Sequence, residues 1–505
     1  MIASRRHLLT AAAGSAAFLG LSRLANAGDA AVDPAGYVNE VSGYGPLQTD
    51  PAGLFDLPAG FSYRVVSRAG DPMSDGLLTP DKMDGMGCFA LDSDRVILVR
   101  NHELKPMDGD RGAFGPGRTL AGKIAADRIY DRDDSGLPMV GGTSTLVYDL
   151  RKRALETHHL SLAGTSTNCA GGVTPWGSWL SCEETTQGKG VEAGKDHGWV
   201  FEVPSRTRGL VDPTPLAGLG RFRHEAAAVD PATGVIYLTE DMAEGLFYRF
   251  LPNDRTRLQA GGRLQALALP EGRDADARNW EASYWRQGDW RSARWIDLDG
   301  VDNPYEDLRY RGRAAGAAWF ARGEGVFFGR GELYFACTSG GPGALGQIMR
   351  YVPSREEGKP GEADNPGRVQ LFCEPHDARV MEMCDNVAVS PWGHLFVCED
   401  KTEGYNHLRA VTPQGKVYAM GRHAKPPADD GVNSELAGVC FSPDGSTLFV
   451  NIYRPGVTLA ITGPWPAPDI RSVSASCFRH QGTVAQLAAP RGCHPGSRAA
   501  AVRAP

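Results

Sequence analysis

Acidic residues in this chain gather where apolar runs end. They are Glu103, Glu183, Glu184, Glu225, Glu240, Asp241, Glu324, Asp385, Glu399 and Asp400. One carboxylate at the end of a strand is ordinary solvated surface. The same placement in five of six similar segments is not. Carboxylates brought close together repel unless a cation compensates them, and oxygen donors suit hard metal ions. A different donor lies in Asn168-Cys169-Ala170-Gly171-Gly172. The glycines there let backbone approach a ligand closely, and a thiolate favours a transition metal over calcium. In Arg322-Gly323-Glu324-Gly325 an extended backbone would point residues 322 and 324 to the same side. A guanidinium fork suited to phosphate oxygens would then stand beside a carboxylate suited to a metal.

Something must carry these residues to one place. Six segments share a small or apolar lead, a tight turn and a β-run with a polar or acidic end. They span Gly85–Glu103, Gly172–Glu184, Ala227–Asp241, Gly325–Gly340, Asn386–Asp400 and Gly438–Tyr453. Their turns use Asp-Ser-Asp, Pro-Trp-Gly, Pro-Ala-Thr-Gly or Pro-Asp-Gly, which set hairpins. One hairpin per blade predicts an all-β, six-bladed β-propeller with irregular insertions and short helices. Two stacked sandwiches are the alternative. In a propeller, acids from separate blades meet at the central channel. Arg111–Val140 and the Trp- and Arg-rich stretch Asn279–Arg313 read as insertions. Glu183 and Glu184 are neighbours, and both reach one site only if the strand has ended between them.

The 505 residues include 63 Gly and 34 Pro, about a fifth of the chain, as many short strands and turns require. The net charge of −7 gives no surplus of cations for nucleic acid. Ten cysteines with no C-x-x-C pair exclude a zinc ribbon, and most read as buried, inert thiols. Gly341–Gly346 fits G-x-G-x-x-G without a βαβ unit around it, which discounts dinucleotide binding.

The first 27 residues read as a leader. Ser4-Arg5-Arg6 precedes an Ala-, Gly- and Leu-rich run that ends at Ala25-Asn26-Ala27. Adjacent arginines indicate the twin-arginine route, so the translocase is the expected partner during export. The mature chain is expected in the periplasm or outside the cell, as a monomer without a membrane anchor. Residues 28–466 form the expected propeller, and 467–505 the expected poorly ordered tail, rich in Arg, Ala, Ser and Pro.

NCAGGVTPWGSWLSCEE (Asn168–Glu184) closely resembles the diagnostic motif of the PhoX-type bacterial alkaline phosphatases. RNHE (Arg100–Glu103), RFRHE (Arg221–Glu225), RGEG (Arg322–Gly325), TSGG (Thr338–Gly341), DNVAVSPWG (Asp385–Gly393) and PGVTLAITGPW (Pro455–Trp465) follow the family in order. The resemblance covers about residues 40 to 466. It implies a six-bladed propeller that hydrolyses small phosphomonoesters at an iron–calcium centre. It implies Cys169 as an iron-bound thiolate and Glu183, Glu184, Glu225, Glu324 and Asp385 as ligands shared between iron and calcium. Arg322 would hold phosphate, Asn168 would contact phosphate or support a ligand, and Glu103 would be a further ligand. A phosphodiesterase or lactonase on the same scaffold, and a non-catalytic metal-bound propeller, remain the alternatives.

Overall fold

A computed structural model of the protein describes residues 31–32, 36–281, 284–425 and 435–467. The leader and the tail from residue 468, with Cys477 and Cys493, lie outside the described residues. Every one of the six hairpins is present, and each forms the two innermost strands of a blade.

Blade 1 runs outward through Met83–Ala90, Arg95–His102, Gly141–Asp149 and Ala154–Thr165. Blade 2 has three strands, Asn168–Val173, Ser178–Glu183 and Val200–Pro204. Blade 3 is His224–Val229, Ile236–Glu240, Phe247–Pro252 and Gly262–Ala268, with Arg294–Asp297 at its edge. Blade 4 is Gly323–Gly329, Glu332–Cys337, Gln347–Val352 and Arg368–Cys373, edged by Trp290–Ser292. The Asn279–Arg313 insertion therefore feeds an edge strand to each of two blades before reaching the α-helix Leu308–Ala315. The Arg111–Val140 insertion contributes short 3₁₀ turns and an isolated antiparallel bridge between Arg132 and Pro138.

The ring closes with strands from the other end of the chain. Blade 5 (Cys384–Val389, Leu395–Glu399, His407–Val411, Val417–His423) is extended by Phe55–Pro58 and Leu47–Gln48. Blade 6 (Leu436–Phe441, Leu448–Ile452, Val457–Thr462) takes Ser62–Arg68 as its outer strand. The inner strands then pack in sequence around the channel, 1 to 6 and back to 1.

Alternation along each strand turns successive side chains toward opposite neighbours, so the core is divided into seams between blades. Tyr237 of blade 3 faces blade 4, where Phe335 and Tyr351 lie, while Leu238 faces Leu180 and Val200 of blade 2. Phe247 stacks on Phe335 at 4.1 Å between ring centroids, a geometry that adds roughly 0.5–1.5 kcal/mol beyond burial of area. The seam between blades 6 and 1 also has a polar staple. Arg100, fully buried, donates to Ser67 Oγ at 2.8 Å and Thr458 Oγ1 at 2.5 Å on the closing blade. No carboxylate pairs with it among the described residues, and burial pulls its pKa down to about 9.

Candidate active site

All six inner hairpins carry the same irregularity. The register slips by one residue between Met83 and Met86, Asn168 and Gly171, His224 and Ala227, Gly323 and Val326, Cys384 and Val387, and Ala437 and Cys440. A β-bulge leaves its inserted residue unpaired and re-aims a side chain. The first residue inside each bulge is Asp84, Cys169, Glu225, Glu324, Asp385 and Gly438, in blade order. Five of the six are metal-ligand types. The sixth has no room for a side chain, because a Cβ on Gly438 would lie 2.4 Å from the Asp84 carbonyl oxygen and its φ is +62°.

A second ring lies just beyond. The backbone N–H groups of Glu103, Glu184, Asp241, Thr338, Asp400 and Tyr453 donate to the carbonyls of Lys82, Thr167, Arg223, Arg322, Met383 and Glu435, at 2.8–3.2 Å. Each hairpin thus ends the same way, and the residue after its second strand sits at the channel. Lys82, Thr167, Arg322 and Met383 hold φ between 47° and 53° to make this closure, a strained conformation that non-glycine residues rarely adopt.

These positions produce two trios of donors whose ligand atoms lie within 4.8 Å of one another: Cys169, Glu184 and Glu225, and Glu225, Glu324 and Asp385. Glu225 belongs to both. It is fully buried, and neither carboxylate oxygen has a hydrogen-bond partner. Asp84 Oδ1 is likewise without a partner, and Cys169 Sγ donates to Asp84 Oδ2 at 3.4 Å. Burial first, and neighbouring carboxylates second, raise Asp84, Glu184, Glu225 and Glu324 well above the usual carboxylate range. Burial and Asp400 push Asp385 up to about 8. The Cys169 thiol is raised by burial and then by Asp84 and Glu225. An unpaired buried carboxylate costs several kcal/mol. Several around one point are tolerable when a multivalent cation sits among them, and one sulfur among oxygens is a donor set that suits a transition ion beside a hard one. The residues present therefore fit a metal centre.

The predicted site residues divide. Cys169, Glu184, Glu225, Glu324 and Asp385 are brought together. Glu103 stands at the rim outside both trios, accepting from the Tyr453 hydroxyl and 3.3 Å from Lys105 Nζ. Glu183 is turned away. The strand ends at Glu183, and its two oxygens receive Ser166 N–H, His197 Nδ1, Gly198 N–H and Trp199 N–H at 2.7–3.2 Å. Those contacts use its acceptor capacity, so Glu183 braces a loop and does not join the donors. Glu240 and Glu399, at the same hairpin position, are engaged by Tyr248 and Arg409 in the same manner. The Asn168 amide is also spent internally, donating to Ser181 Oγ at 2.9 Å and accepting from Thr165 Oγ1 at 2.6 Å. It anchors the strand that carries Cys169 and does not reach the channel.

Arg322 Nε and Nη2 donate to Asp241 Oδ1 and Oδ2, each at 2.8 Å, and Nη2 lies 3.3 Å from Glu324 Oε1. Residues 322 and 324 do stand side by side, but through the left-handed turn at Arg322 and the bulge at Glu324, not through a regular strand. The side chain is 35% exposed. Asp84, which the sequence reading does not single out, occupies in blade 1 the bulge position that Glu225, Glu324 and Asp385 hold in blades 3, 4 and 5. The signal was available: Asp84-Gly85, Cys169-Ala170, Glu225-Ala226 and Glu324-Gly325 each put a ligand type before a small residue at the start of an inner strand.

No helix among the described residues is long and apolar enough to cross a membrane. The chain is similar in structure to Pseudomonas fluorescens PhoX in complex with vanadate, a transition state analogue. The two are 20% identical with a TM-score of 0.60, over 83% of this chain and 97% of that one. A gluconolactonase from Xanthomonas campestris is 13% identical over 83% and 98% of the two chains, with a TM-score of 0.35. No curated protein matches the sequence. The family model described as alkaline phosphatase PhoX matches residues 42–148 and 139–456. With almost the whole propeller matched in this way, the chain belongs to the PhoX family of alkaline phosphatases and is a phosphoric monoester hydrolase.

Proposed function

We propose that the protein is exported by the twin-arginine route, loses residues 1–27, and acts as a periplasmic or secreted monomer that releases phosphate from small organic esters. Iron and calcium are the proposed ions. Cys169, Glu184 and Glu225 would hold iron, and Glu225, Glu324 and Asp385 would hold calcium, with Asp84 and Glu103 close by. Ions held by these residues would neutralise the phosphate charge and stabilise the charge that develops as the P–O bond breaks.

The chain's own contribution is position. Arg322 is gripped through Nε and Nη2, which leaves Nη1 as the nitrogen used by neither Asp241 nor Glu324. That edge would receive phosphoryl oxygens. Because Asp241 fixes the guanidinium plane in advance, little rotamer entropy is lost when substrate arrives. The bulge residues are buried, so the reacting phosphate would meet charged groups in a medium where they are poorly screened.

The observation that supports this reading most strongly is Glu225, a fully buried carboxylate with no donor on either oxygen at the shared corner of two donor trios. The test is elemental analysis of the purified mature protein, together with turnover of a phosphomonoester, a phosphodiester and a lactone. Iron and calcium with monoester turnover is expected. Zinc alone, or turnover of the diester or lactone in place of the monoester, would contradict it.

A further inference from the structure

Lys105 is a half-exposed cation beside Glu103, just past the inner hairpin of blade 1. It follows Glu103 by two residues and immediately precedes the 3₁₀ turn Pro106–Arg111. Leu104 fixes its approach, since that side chain is fully buried and its carbonyl accepts the Thr167 N–H at 2.9 Å. Thr167 in turn accepts Glu184 N–H at 2.8 Å, so the lysine is tethered to blade 2, beside Cys169 and Glu184. Its Nζ lies 3.3 Å from Glu103 Oε1 and its side chain is 47% exposed. Glu184 and Glu324 each have a carboxylate oxygen within 4.8 Å of one on Glu225, and Arg322 Nη2 lies 3.3 Å from Glu324 Oε1, so Lys105 and Arg322 border one cluster from different blades. Lys82, the other lysine at this end of blade 1, is closed off by a buried 2.6 Å pair with Asp108.

Glu103 is buried and already accepts from the Tyr453 hydroxyl, so it does not depend on Lys105 alone, whose ammonium is half exposed. An ammonium has three donors on a flexible stem and serves as a point charge. One donor toward Glu103 leaves two. We propose that Lys105 is a second cationic substrate-binding residue, which takes a phosphoryl oxygen of the ester opposite Arg322. This rests on the phosphomonoesterase reading above.

The test uses the metal-loaded mature protein and its Lys105→Ala, Lys105→Gln and Lys105→Arg variants. KM and kcat for p-nitrophenyl phosphate, the inhibition constant of inorganic phosphate, and iron and calcium content are measured together. In Lys105→Ala and Lys105→Gln, KM and the phosphate inhibition constant should rise together by roughly 10-fold to 100-fold, as loss of one charged hydrogen bond implies. Metal content should stay unchanged, and Lys105→Arg should recover most of the loss. Unaltered KM and phosphate inhibition in Lys105→Ala, with an active wild type, would overturn this inference alone. Loss of metal in step with activity would also overturn it, making Lys105 a counter-charge for Glu103. An inactive wild type would instead overturn the phosphomonoesterase reading.

Discussion

Arg322 and Asp241 meet edge to edge, with Nε to Oδ1 and Nη2 to Oδ2 both at 2.8 Å, although 81 residues separate them in the chain. Asp241 ends the inner hairpin of blade 3 and Arg322 precedes that of blade 4, so the pair spans a blade seam at the channel. Arg322→Ala should lower phosphomonoester turnover by roughly 10²–10³-fold, the usual loss for one preorganised donor. Metal content should be unaffected. Arg322→Lys should rescue only in part, because a point charge cannot reproduce the fork. Steady-state kinetics with parallel elemental analysis checks both, and wild-type turnover in Arg322→Ala would remove the phosphate-binding role.

Glu225→Gln separates a metal ligand from a core residue. Without ions the amide replaces a carboxyl group whose ionised form burial and its neighbours disfavour, so the stripped variant should melt at or above the stripped wild type. With ions the ranking should reverse. Wild type gains about 2.7 kcal/mol when metal is 100-fold above its dissociation constant, and the variant should gain far less. Thermal melting of both proteins, stripped and loaded, reads this directly. Equal gains in the two proteins would show that Glu225 holds no ion.

Gly438 tests the geometry of the ring. A methyl group there would meet the Asp84 carbonyl oxygen, the Asn451 amide and Met86 Cβ at 2.4, 2.5 and 3.1 Å. Its φ of +62° is also unfavourable to alanine. Gly438→Ala should cost roughly 1–3 kcal/mol or more from overpacking and strain together. The denaturant midpoint should fall. An unchanged midpoint would mean that the inner strands of blades 6 and 1 can move apart without cost.

His197 gives the protein a stability that fades in base. Burial pulls its pKa down, but Glu183 and Asp131 overcome this and hold it at about 9, above the ordinary 6.5. The protonated ring bridges the two carboxylates, at 2.7 and 3.1 Å. A raised folded pKa means that the contribution is complete below pH 6.5 and lost as pH rises through 9. Its size is on the order of 3 kcal/mol. The stability difference between wild type and His197→Gln, followed from pH 6 to pH 10, should shrink across that window. A difference independent of pH would mean the ring is neutral.

The hairpins were legible in the sequence because turn chemistry is local: Pro391-Trp392-Gly393 and Pro443-Asp444-Gly445 declare their turns without reference to anything distant. The site was legible only in part. Acids at the ends of apolar runs include Glu184, Glu225, Asp241, Glu324 and Asp385 but also Glu183, Glu240 and Glu399. A one-residue difference decides which way a side chain faces, and the end of a strand cannot be located to one residue from propensity. Glu324 and Asp385 stand both among those acids and in family motifs, while Asp84, placed by the same bulge, is reached by neither signal. A bulge has no residue requirement strong enough to betray it until the hairpins are superimposed. Lys105 carried no motif at all, because its position follows from a buried leucine and two backbone hydrogen bonds.

Phosphomonoester hydrolysis by this protein should depend on metal held by the buried acids and Cys169. The most direct test is p-nitrophenyl phosphate turnover by one preparation of the mature protein as purified, after chelation, and after iron and calcium are restored. Turnover should fall at least 100-fold on stripping, a conservative share of what charge stabilisation at such a site supplies. It should return when both ions are added back. Full turnover by protein shown to be free of metal would contradict the account.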